Sequence, residues 1–111
     1  MNEIKLWKQK MFLNIIKSYR NIFAICDSEL LGKKFEEGKF QLDVKESFYK
    51  GKQGKKFSEK EILELMETFN REDATFNIVG EKSISAALKS GIISGKEIGR
   101  IQGIPFALVL L

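Results

Sequence analysis

Residues 21–27 read NIFAICD, and both sides of this strand-like run are apolar. Ile22, Ala24 and Cys26 point one way, and Phe23, Ile25 and Asp27 point the other. With both faces mostly apolar, this strand is expected to be internal to the sheet. The run MFLNIIK just before it, separated by SYRN, completes a hairpin. The closing run, Phe106 to Leu111, is also apolar on both faces and is expected to be covered on both sides. FQLDV from Phe40 alternates instead, with Phe40, Leu42 and Val44 inward and Gln41 and Asp43 outward, as in a half-buried strand.

Two helices accompany these strands. Ser58 and Glu61 form a capping box, each satisfying an amide at a helix start, and Ile62, Leu63, Met66 and Phe69 follow at helical spacing over residues 59–70. A second helix begins near Gly80, carries Ile84, Ala87 and Leu88, and stops at Gly91. The expected architecture is α+β: a small, mostly antiparallel sheet covered on one side by two helices. The 111 residues suffice for one core, placed at residues 11–111 as a single domain. Residues 1–10, MNEIKLWKQK, are read as an N-terminal extension, with a helical turn packing Ile4, Leu6 and Trp7 as the rival.

The chain contains no histidine and one cysteine. Ser–His and Cys–His nucleophilic pairs are therefore impossible, as are imidazole metal ligands. No catalytic residue, no metal site and no cofactor is assigned, and the chain is read as not an enzyme. An internal disulfide is excluded, and such cysteine usage fits a reducing cytoplasm. No apolar run is long enough for a membrane helix, and no membrane partner is expected.

Three stretches remain as candidate sites. In CDSE, a thiolate at Cys26 or an oxygen pair from Asp27 and Glu29 is weighed against a joint. In that joint Cys26 is a small buried hydrophobe, and Asp27 or Ser28 caps the turn SELL that Gly32 ends; the joint is preferred. In NIVGEKS, Glu81 separates Gly80 from Lys82 and the upstream glycine of a phosphate loop is missing, so nucleotide binding is rejected. A weaker anion site at the helix start, with Asn77, Gly80, Lys82 and Ser83, stands against Asn77 acting as a plain cap. The net charge is +4, and its densest knot is YKGKQGKK. There Lys50, Lys52, Lys55 and Lys56, beside Tyr49 and joined by Lys33 and Lys34, are candidates for phosphate contact, with Tyr49 exposed to stack on a base. The plain alternative is a solvated basic loop.

CDSELLGKKFEEG, FYKG, FNIVGEKSISAALKSGII and RIQGIPFALV, in this order, resemble an archaeal family catalogued as domain of unknown function 424. The resemblance implies a small α+β domain of an archaeal cytoplasm with no assigned enzymatic activity. It also implies an association with translation, which makes RNA or a ribonucleoprotein the expected partner. Relatives often read Gly-Val-Pro-His where this chain has Gly103, Ile104, Pro105 and Phe106, so a histidine position is held here by Phe106. Ile104, Pro105 and an exposed Phe106, with the apolar chain end, form a second candidate surface, for another protein or a second copy.

Overall fold

A computed structural model describes residues 9–70 and 73–111. The reading of residues 1–10 falls almost entirely outside the described residues.

The first two strands, β1 (Gln9–Ile16) and β2 (Asn21–Asp27), form the expected antiparallel hairpin, with Ile16 opposite Ile22 and Met11 opposite Asp27. A single 3-10 turn (Ser28–Leu30) leads into a small separate sheet of β3 (Lys34–Glu37) and β4 (Phe40–Asp43). One helical turn, α1 (Glu46–Tyr49), and a glycine-containing loop bring the chain to β5 (Lys56–Ser58). Helix α2 (Glu59–Thr68) then crosses to β6 (Ala74–Val79), α3 (Glu81–Ser90) follows, and β7 (Gly99–Ile101) and β8 (Ile104–Leu110) close the fold.

The main sheet has six strands in the order β5-β1-β2-β6-β8-β7. Only β2 and β6 run parallel; the other neighbours are antiparallel. The sheet is therefore mixed and mostly antiparallel, and the fold is α+β. The strand β6 sits at its centre, beside the internal strand β2.

Alternation divides the core between the two faces. Met11, Leu13, Phe23, Ile25, Phe76, Ile78, Ala107 and Val109 pack under the helices, with Ile62 and Met66 of α2 and Ile84, Ala86 and Ala87 of α3. Phe23 stacks on Phe76 at 4.8 Å and meets Phe69 at 5.0 Å. The capping box holds the start of α2: Ser58 N–H donates to Glu61 at 2.9 Å, and Glu61 N–H donates to Ser58 Oγ at 3.2 Å. The opposite face carries Phe12, Ala24, Cys26 and Val79, covered by Leu30, Val44 and Tyr49 with Phe35, Leu42, Phe48 and Phe106 packed around them. So the helices take one face, and the small hairpin with α1 takes part of the other.

Several expectations need correction. Phe40 stands at the hairpin tip and is 70% exposed, while Leu42 is half-buried and Val44 buried; β4 pairs with β3 and not with the main sheet. Leu88 lies on the outer side of α3. From Ala107 onward the final strand is covered on its helix side only: Ala107 and Val109 are buried, but Leu108 and Leu110 are 56% and 69% exposed. The small hairpin lies instead by the β7–β8 turn, where Gln102 N–H donates to the Glu37 carboxylate at 2.8 Å.

Candidate functional site

Strand β1 is longer than its outer neighbour. β5 pairs with Gln9, Met11 and Phe12, so from Leu13 to Ile16 the outer edge of β1 has no strand beside it among the described residues. The loop between α1 and β5 curls back against this edge. It comes so close at Gly51 that a Cβ there would lie 2.9 Å from the Leu13 carbonyl oxygen. Asn14 fixes the other end of the approach by donating to the Phe48 carbonyl at 2.8 Å.

The contact at Gly51 also tells which backbone groups face out. The Leu13 carbonyl points to the loop, so by strand alternation the N–H and C=O of Ile15 point the same way. Between edge and loop lies an open groove of about 1050 Å³. Its floor is apolar, with Leu13, Ile15 and Phe57, and its rim carries Lys17, Lys50, Lys52 and Lys55 against one acid, Glu46. Glu46 sits 3.6 Å from Lys50 and offsets part of that charge. The result is a basic, partly apolar trough beside a free strand edge.

The candidate lysines are thus divided. Lys50, Lys52 and Lys55 line the trough, joined by Lys17, which the sequence pattern gives no reason to single out because it lies in the β1–β2 turn. Lys55 Nζ sits 4.9 Å from the Phe57 ring centroid. Lys56, on β5, lies over the Phe12 ring at 5.7 Å, and Lys33 and Lys34 lie by the small hairpin, where Lys34 pairs across from Asp43. None of these three lines the trough. Tyr49 is corrected: it is buried beneath the loop against Phe48 at 5.0 Å, so it cannot stack on a base, and burial pushes its hydroxyl up to about 12.

The helix-start candidates resolve differently. Asn77 is inside β6, opposite Ala24 and Leu108, and caps nothing; Gly80 is the residue before the helix. The free amides of α3 are taken by Asp27, which reaches across from the end of β2. Its carboxylate accepts from Lys82 N–H at 3.0 Å and from Ser83 N–H and Oγ–H at 2.8 Å each. The internal carboxylate occupies the place an external anion would take, with the helix dipole in its favour. Burial pushes the Asp27 carboxyl above its ordinary range, and the Lys82 and Ser83 donors pull it part of the way back. Asp27 does not cap the Ser28–Leu30 turn, which has no side-chain cap.

This arrangement also occupies the acidic pair. Glu29 binds Lys82 Nζ at 2.8 Å, so each carboxylate of the pair is already engaged by donors of the protein itself. Cys26 is fully buried on the opposite face, and burial, with Asp27 beside it, pushes its thiol up to about 12. A thiol held neutral is a poor nucleophile. Ile104 and Phe106 are half-buried, and Pro105 is buried; a Cβ at Gly99 would lie 2.6 Å from the Phe106 ring. Phe106 is therefore a packing residue of the second core, not an exposed contact.

Fold and trough together define a small α+β protein with a basic surface groove at one sheet edge. The chain belongs to the family described as "Protein of unknown function (DUF424)", which matches residues 16–111. It is also similar to the crystal structure of "an uncharacterized conserved protein from Methanopyrus kandleri", with a TM-score of 0.71 and 27% identity over 90% of each chain. No curated protein matches the chain. No described helix is long and apolar enough to cross a membrane.

Proposed function

We propose that this protein is a non-catalytic binding protein for RNA, alone or within a ribonucleoprotein of translation, and that the trough between β1 and the Lys50–Lys55 loop is the contact. The observation that carries this reading is the gathering of Lys17, Lys50, Lys52 and Lys55 around one groove. Flexible lysines follow phosphates without demanding a fixed geometry, and each neutralised phosphate releases counterions. The apolar floor and the outward N–H and C=O of Ile15 give an unpaired base something to lie against. A duplex presents its bases inward, so single strands are the favoured form. The non-catalytic part rests on the fate of the reactive groups: Asp27 and Glu29 are engaged by Ser83 and Lys82, and Cys26 is sealed in the core.

Fluorescence anisotropy with a labelled single-stranded RNA across a salt series tests the proposal. Binding should weaken with salt. In the variant with Lys50, Lys52 and Lys55 replaced by glutamine, the logarithmic salt slope should fall by roughly 0.7 for each phosphate that is no longer neutralised. Absence of binding at low salt, or an unchanged slope in the variant, refutes the trough as an RNA site.

A further inference from the structure

The other side of the sheet has its own unfinished edge. β7 pairs with β8 only at Ile104, Pro105 and Phe106, so among the described residues no strand lies beside Ala107–Leu110 on that side. Backbone alternation is fixed at both ends of β8. The Pro105 carbonyl accepts from Gly80 N–H at 2.8 Å, and Leu111 N–H donates to the Ala74 carbonyl at 2.9 Å. Odd-numbered residues therefore turn their polar backbone toward β6, and Leu108 and Leu110 turn theirs outward. Their side chains are also the exposed ones, 56% and 69%.

Proteins usually guard such an edge with a charge, a proline or a bulge. Here no ionisable side chain occurs from Ile104 to Leu111, and the proline lies on the stretch that β7 already covers. Arg20, beside the end of β8, is engaged by the Leu111 carbonyl, Thr75 and Asp73. The opposite edge of the sheet is the contrast: its lysines would repel a second copy of themselves.

We propose that β8 pairs antiparallel with β8 of a second copy, about a two-fold axis at Val109. In this register Leu108 faces the partner's Leu110, and Leu110 faces the partner's Leu108. Both members of each pair turn their N–H and C=O outward, so every free backbone group at these two positions finds a counterpart. The same pairing brings the four exposed leucines together on the uncovered face, and no charge is buried. The partner is a second copy rather than an unrelated strand because the edge is complementary to itself in both donors and side chains, as a two-fold interface must be. The helix side is not disturbed, since Ala107 and Val109 stay under α3 and Ile93.

Sedimentation equilibrium of the full chain over a concentration range, joined to amide hydrogen exchange, is the test. Dimerisation is expected, with the Leu108 and Leu110 amides slowing as the dimer forms. The double variant Leu108→Lys, Leu110→Lys should keep the wild-type circular dichroism, because both side chains lie outside the cores, and should sediment as a monomer. A wild-type monomer at every concentration overturns the proposal. So does a dimer in which these two amides exchange at the monomer rate, or one that survives in the lysine variant. If the variant does not fold, the exchange of the unsubstituted chain decides alone.

Discussion

Replacing Gly80 with alanine tests the joint between β2 and α3. Gly80 has φ 109° and ψ 157°, a region open almost only to glycine, and forcing alanine into it costs about 1–3 kcal/mol. The added Cβ would also lie 2.3 Å from Asp27 Cγ and 2.6 Å from both carboxylate oxygens. Asp27 cannot retreat without giving up the Lys82 and Ser83 donors, and Ser83 is fully buried. Leaving such donors without an acceptor adds roughly 2–4 kcal/mol, from about 1–3 for each buried group left unpaired. The total, about 3–7 kcal/mol, is a large share of the roughly 5–15 kcal/mol that stabilises a typical domain. The revealing measurement is a double-mutant cycle by urea unfolding. Asp27→Ala alone should cost about as much as the broken hydrogen bonds, but in that background Gly80→Ala should cost only the backbone strain, about 1–3 kcal/mol. The two substitutions must therefore be strongly sub-additive. Gly91→Ala is the control, with φ 84° and open space around its Cβ, and should cost no more than the strain alone. Additivity within about 0.5 kcal/mol, or equal losses at Gly80 and Gly91, would show that Asp27 does not hold the start of α3.

Two more expectations concern stability. Ser58→Ala removes one half of the capping box and should cost about 1 kcal/mol in urea unfolding, with no change in RNA binding or in sedimentation. Cys26 should be inert to a thiol reagent until the chain is unfolded, and its raised pKa fixes the sign of an alkaline effect. The folded thiol titrates at about 12 and the unfolded one at 9.0, so its contribution is full below pH 9 and lost as pH rises toward 12, by about 1.4 kcal/mol per pH unit. Tyr49 adds the same trend above pH 10, so stability curves of wild type and Cys26→Ala between pH 9 and 10 isolate the thiol; parallel curves would refute the assignment.

What the sequence makes legible is what is encoded locally. The β1–β2 hairpin follows from alternation around SYRN, and α2 follows from Ser58 and Glu61 ahead of a helical apolar stripe. Gly91 ends α3 in the left-handed conformation its position suggests. The strand β6 is harder to read: ATFNIV alternates through Ala74, Phe76 and Ile78, but it runs straight into a helix start and its partner β2 lies across a long crossover. For the same reason Asp27 resembles a cap for the turn next to it. Its true donors, at Lys82 and Ser83, are more than fifty positions away, and nothing in a local pattern reports such a pairing. Tyr49 misleads because its neighbours are lysines and glycines, while its burial is set by Phe48 and the β1 face beneath it. Of the trough, the loop lysines are visible in the sequence; Lys17 and the free edge of β1 are not, since both depend on where β5 stops.

Both proposed surfaces come from the same geometric fact, a mismatch of strand lengths. β5 has three residues beside the eight of β1, and β7 has three beside the seven of β8, so each side of the sheet leaves part of a longer strand open. Chemistry then separates them. Around β1 the open stretch is bordered by lysines, which keep a like surface away and draw a polyanion in. Along β8 the open stretch has no ionisable side chain, so pairing with a copy of itself sets no like-charged side chains against each other. With β2 and β6 between them, the two edges do not compete for space. Joining two copies at β8 would extend the sheet across the two-fold and set the basic troughs at its two outer ends. A polyanion long enough to reach both would then be held by two troughs at once, which raises its apparent affinity without any new contact.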